Sequence, residues 1–122
     1  MNDKIKSYED LIVWQKADQL AYNVFSLVKK FPKEELYGLI SQIKRSSLSV
    51  PANIAEGFAR GSQKDFLRFL YIAWGSLVET EYFLKFSHKL DYITFKELEN
   101  NLNLTQEIGK MLNGLVKSIK NK

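Results

Sequence analysis

Apolar residues return along this chain at alternating steps of three and four, the period of helices that each turn one face to a common core. Val13, Ala17, Leu20, Val24, Leu27 and Phe31 predict a first helix over about residues 10–30, and Trp14, Ala21, Phe25 and Val28 widen its stripe. Pro32 ends it, because proline disfavours helical geometry in the preceding residue and has no amide to donate. Leu36, Ile40, Ile43, Ser47, Val50, Ile54 and Gly57 predict a second helix over about 33–60. Its Pro51 should kink it, with Ser46 to Ser49 offering local polar substitutes; the alternative is two shorter helices broken at Val50. Gly61-Ser62 is a stop followed by an N-cap, and Phe66, Leu70, Ala73, Leu77, Thr80, Leu84 and Ser87 mark a third helix over about 63–90. Thr94-Phe95-Lys96-Glu97 reads as a capping box opening a fourth over about 95–120, with Leu98, Leu102, Thr105, Ile108, Leu112, Leu115 and Ile119 as its seam. Short connections make neighbours antiparallel, so the expected fold is an all-α, up-down-up-down four-helix bundle, one domain over 1–122.

Two helices carry more than a bundle needs. Between Phe66 and Phe86 the third helix has only Arg68, Glu79, Glu81 and Lys85 as charged residues, so a monomer would expose a wide aromatic patch. On the second, Gln42, Ser46, Ser49, Asn53, Glu56 and Arg60 form a separate polar stripe beside Ala52, Ala55, Gly57 and Ala59. Serine and asparagine are poor helix formers, so a merely solvated face would favour Lys and Glu there. The stripe, together with Glu79, is therefore a candidate assembly surface, and a homo-oligomer is expected.

The chain has no cysteine, which excludes disulfides and thiolate metal sites and fits a reducing cytoplasm. The first six residues form no apolar leader segment, and no apolar run reaches the roughly 20 residues that span a bilayer. A cytoplasmic protein is expected. The net charge of +4 is modest, but no acid follows Glu107, whereas Lys110, Lys117, Lys120 and Lys122 do. With Lys44, Arg45, Arg60, Lys64 and Arg68 in mid-chain, these bases are candidate phosphate contacts for RNA or DNA. The competing account is helix-dipole complementation and solubility. The lone histidine, His88, makes paired Glu-x-x-His di-iron motifs impossible, and no serine has a plausible His/Asp set around it. Gly57-x-x-x-Gly61 is no phosphate loop. No cofactor, metal or catalytic set is expected, and the chain reads as a non-enzyme.

Several motifs in order are more specific. They run from Tyr8-Glu9-Asp10-Leu11-Ile12-Val13-Trp14-Gln15-Lys16-Ala17, through Phe31-Pro32-Lys33-Glu34-Glu35-Leu36-Tyr37-Gly38 and Gln42-Ile43-Lys44-Arg45-Ser46, to Val50-Pro51-Ala52-Asn53-Ile54-Ala55-Glu56-Gly57. Arg60-Gly61-Ser62-Gln63-Lys64-Asp65-Phe66, Ala73-Trp74-Gly75-Ser76-Leu77 and Glu79 follow. From Tyr8 to about Leu84 the chain resembles the bacterial family named for proteins encoded in intervening sequences of 23S rRNA genes, with the fourth helix similar in pattern. The resemblance implies a four-helix bundle assembled as a ring, a pentamer, and singles out Gln42, Arg45, Asn53, Glu56, Arg60, Arg68 and Glu79. A related branch acts with reverse transcriptases of diversity-generating retroelements. Two functions are thus expected: an oligomeric interaction scaffold, with an accessory protein that contacts nucleic-acid backbone as the alternative.

Overall fold

In the computed structural model, which describes residues 5–122, the apolar seams become four long helices. These are α1 (Ile12–Leu27), α2 (Leu39–Ala59), α3 (Gln63–Lys89) and α4 (Phe95–Lys120), preceded by a 3-10 turn at Tyr8–Asp10. No strand occurs among the described residues, and no described helix is long and apolar enough to cross a membrane. Residues 1–4, on which part of the leader reading falls, lie outside the described residues.

The predicted seams are the buried lines. Leu20, Val24, Ile43, Val50, Ile54, Leu70, Leu84, Ile108 and Leu112 are almost wholly removed from water and share one core. That burial supplies the main drive for four helices that would be marginal alone. Each junction also has its chemistry. Gly61, at φ +81°, takes the left-handed turn that closes α2, and Ser62 then accepts the Asp65 amide to start α3. Asp91, at φ 63°, performs the same turn after α3, with Asp91 N–H donating to His88 O and Tyr92 N–H to Ser87 O. Thr94 and Glu97 form the expected capping box.

Two boundaries differ from expectation. The first helix stops at Leu27 and finishes in a 3-10 turn, Val28–Lys30. The second begins at Leu39, not residue 33; Lys33–Glu35 is a separate 3-10 turn, and Gly38, at φ −112° and ψ −107°, stands outside helical geometry. The cause is tertiary. Tyr92, whose ring packs 5.2 Å from the ring of buried Phe31, donates its hydroxyl to Glu35 at 2.8 Å. Segment 33–38 follows that anchor, so Leu36 leaves the seam and is 49% exposed. Pro51, by contrast, lies buried within an unbroken α2, so the two-helix alternative does not hold. Nor do the neighbouring serines replace its missing amide: Ser46 and Ser47 donate to the carbonyls of Ile43 and Lys44, one turn earlier.

Pairs between helices define the directions. Arg45 meets Glu79, Ser46 meets Thr80 and Ser49 meets Ser76, so α2 and α3 are antiparallel. Asn23–Asn101, Lys16–Glu107 and Lys30–Glu97 set α1 against α4 in the same way. α2 and α3 approach closely at Gly57, where an added Cβ would lie 2.7 Å from Phe69 Cβ and 3.1 Å from Phe66 Cδ1. Neither atom is the loose end of a flexible chain, so the two backbones would have to part.

This contact generates a test. Gly57→Ala should lower stability by about 1–2 kcal/mol in urea unfolding, overpacking outweighing the gain in helix propensity. Gly114→Ala, whose Cβ would meet nothing within 4 Å, should instead raise it by about 0.5–1 kcal/mol. Equal effects at both sites would contradict the close α2–α3 approach.

Candidate functional site

The polar row of α2 divides by depth. Ser46 is fully buried and Ser49 partly so. The Thr80 hydroxyl donates to Ser46 Oγ and the Ser76 hydroxyl to Ser49 Oγ, both at 2.8 Å, while Asn53 Nδ2 donates to the Ser49 carbonyl and hydroxyl oxygens at 2.8 and 2.9 Å. These hydroxyls join α2 to α3 within the chain, where buried polar groups must find partners. Gln42, Glu56 and Arg60 lie outside that ladder, exposed. Arg45 gathers Gln42 and Glu79, donating to them at 3.0 and 3.2 Å, and Arg60 pairs with Glu56 at 2.9 Å.

The candidate phosphate contacts separate as well. Arg45 and Arg60 already serve carboxylates. Arg60 and Arg68 lie 5.0 and 4.5 Å from the centre of the Phe69 ring, and Lys44 lies 4.9 Å from that of Phe25. Lys64 is exposed in the first turn of α3. Lys110, Lys117 and Lys120, however, share the outer side of α4 beside a groove against α3. No carboxylate pairs with any of the three among the described residues.

Two adjoining hollows of about 440 and 450 Å³ make up this groove, and both are lined by Trp74 and Asn113. Tyr71, half-exposed, forms its floor at one end, with the Lys120 ammonium 5.9 Å from the ring centre. Lys110 and Gln106 border the other end. Gly75 carries no side chain into this space, and a Cβ there would meet nothing within 4 Å. Tyr71 and Trp74 fall within the aromatic patch expected on the third helix, but their meeting with the lysines was not expected. The available signal was the Tyr71/Trp74 spacing of three on a face that already had a complete core seam.

The whole described chain offers little for acid–base or metal chemistry. It contains no group of three or more potential metal-ligating side chains among the described residues. The displaced titrations belong to caps and ties. Backbone amides of Lys6 and Ser7 hold the Asp10 carboxyl below its ordinary value. The hydrogen bond to Glu35, followed by burial and the carboxylate charges, raises the Tyr92 phenol. Lys30, then the Thr94 amide, lowers the Glu97 carboxyl.

The family model of the 23S rRNA-intervening sequence protein matches residues 9–114, spanning α1 to α3 and most of α4. The chain belongs to this family. A solved relative of the intervening-sequence protein comes from Bacteroides thetaiotaomicron VPI-5482 and is described as a protein of unknown function from the S23 ribosomal protein family. It is 33% identical, with a TM-score of 0.80 over 87% of this chain and 99% of its own. No curated protein is significantly similar. Lys117 and Lys120 lie beyond the matched segment, so two of the three lysines of the groove's rim lie outside it.

The lowered Glu97 carboxyl gives a pH test with a definite sign. A depressed folded-state pKa contributes stability that is present above the unfolded value, near 4.3, and is lost as pH falls through the folded value. Glu97→Gln should therefore cost stability at neutral pH and show a smaller loss on acidification, by less than about 1 kcal/mol because the pair is part-exposed. Thermal unfolding at neutral and acid pH measures it; identical acid sensitivity in both proteins would remove Lys30–Glu97 as a contributor.

Proposed function

We propose that this intervening-sequence protein is a non-enzymatic cytoplasmic scaffold that assembles with copies of itself. The observation that carries the reading is the outward side of α3. Ile72, Val78, Tyr82, Phe86 and Leu90 are each 37–58% exposed, at helical spacing opposite a core seam already complete. Tyr82 packs its ring 6.1 Å from that of Phe86 and 5.8 Å from that of Phe83, making a contiguous aromatic surface. Such a surface favours burial against another protein. Glu79, held by Arg45 and so linked to Gln42, interrupts the apolar row with one polar group. A polar group inside an apolar seam penalises wrong registers, which suits a repeated contact between identical chains. The family resemblance suggests a five-membered ring as the closed form.

A second reading, contact with nucleic-acid backbone, is favoured by Lys110, Lys117 and Lys120, which lack carboxylate partners among the described residues. It uses no residue of the aromatic assembly surface.

Light scattering at micromolar concentration tests the scaffold reading. The expected mass is a whole multiple of 14.2 kDa, five-fold for the ring. Tyr82→Asp combined with Phe86→Asp should reduce it to one chain with the helical circular dichroism unchanged, since both side chains are already exposed. A wild-type monomer would end the proposal.

A further inference from the structure

The α3–α4 groove combines a cationic rim with features that phosphate contact alone would not require. Its floor holds two aromatic rings three residues apart, Tyr71 half-exposed and Trp74 shared by both hollows. Its rim holds Lys110, Lys117 and Lys120, spread over about 15 Å of α4 at 1.5 Å per residue. Gly75 puts no side chain into the groove, and a Cβ there would stand in open space with nothing within 4 Å. Helix-dipole compensation explains lysines in the last turn of α4, which holds Lys117 and Lys120. It does not explain Lys110, nearly three turns earlier, nor a glycine that leaves the aromatic floor uncovered.

We propose that this groove binds single-stranded nucleic acid, stacking bases on Tyr71 and Trp74 while Lys110, Lys117 and Lys120 receive the phosphates. The inference builds on the phosphate-contact reading and adds the form of the ligand. Charge complementarity selects a polyanion, because three ammonium groups without carboxylate partners border the groove. The flat rings select one with unpaired bases, since a duplex keeps its faces stacked internally. Asn113, lining both hollows between the rings and the lysines, offers an amide to base edges or sugars without imposing a sequence. The groove is complete within one chain. At about 100° per residue, Trp74 faces α4, whereas Tyr71 shares its outward stripe of α3 with Val78 and Tyr82, two to three turns further along, so the groove borders the proposed self-association surface at Tyr71.

Fluorescence anisotropy with labelled oligouridylate, oligothymidylate and a duplex of equal length, across a salt series, tests the proposal. One or both single strands should bind more tightly than the duplex, with affinity falling as salt rises. Tyr71→Ala should weaken single-strand binding about tenfold, as expected for loss of one stacking platform, and leave the salt dependence unchanged. Lys117→Ala should instead reduce the slope of log K against log salt by about 0.7. Lys89→Ala, at the opposite end of α3, should change neither. Equal binding of duplex and single strand, or no effect of Tyr71→Ala in a variant with native circular dichroism, would overturn the stacking groove while leaving backbone contact standing. Absence of binding at low salt would overturn both. Because the groove needs only one chain, a monomeric mass in light scattering would not decide this question.

Discussion

The close approach of α2 and α3 is the constraint on which the rest depends. Gly57 lets the Phe69 side chain come against the α2 backbone, and Ser46 and Ser49 place short hydroxyls where Thr80 and Ser76 can meet them. Larger residues at these positions would separate the helices and strand those hydroxyls away from both partner and solvent. Buried polar groups gain little net energy when satisfied but cost considerably when left alone, so the ladder mainly enforces one register. It also explains why a helix containing Ser46, Ser47, Ser49 and Pro51 persists: tertiary contacts carry it, not propensity.

Bringing α2 and α3 together decides what is left outside. Once α3 has used Leu70, Ala73, Leu77, Thr80 and Leu84 for the core and Phe69 and Ser76 against α2, its remaining surface is still rich in large apolar residues. That surplus forms one broad outward face. Val78, Tyr82 and Phe86 form a row beside the Arg45–Glu79 pair. Tyr71 continues the stripe of Val78 and Tyr82, and with Trp74 it meets the lysines of α4. A single helix therefore supplies the core, the proposed self-association surface and the floor of the groove. The two proposals differ in driving force, one resting on aromatic burial and the other on salt-sensitive charge and stacking.

The family relationship bears on the packing. A member whose four helices superpose on an S23-family protein at 33% identity shares the packing that positions these surfaces. Its shifted carboxyls and phenol lie at helix ends and a loop, held by caps and the Tyr92–Glu35 tie.

Much of this was legible in one dimension. The period of Leu70, Ala73, Leu77, Thr80 and Leu84, and its counterparts elsewhere, determined which face of each helix is buried, because burial follows a repeat that any helix must obey. The caps at Ser62 and Thr94 were readable for a similar reason: side chain and amide lie within three residues of one another. What sequence could not give were relations between residues far apart in the chain. The Tyr92–Glu35 bond lies on a segment that leaves α2 to begin at Leu39, the hydroxyl ladder turns half of a seemingly outward polar row inward, and α4 brings lysines to Tyr71 and Trp74. Periodicity specifies direction around one helix axis, whereas partner and distance are set only when the axes pack. The sequence alone therefore determined the helices and their buried faces, and tertiary packing decided which polar residues were internal and which aromatic residues met the charges.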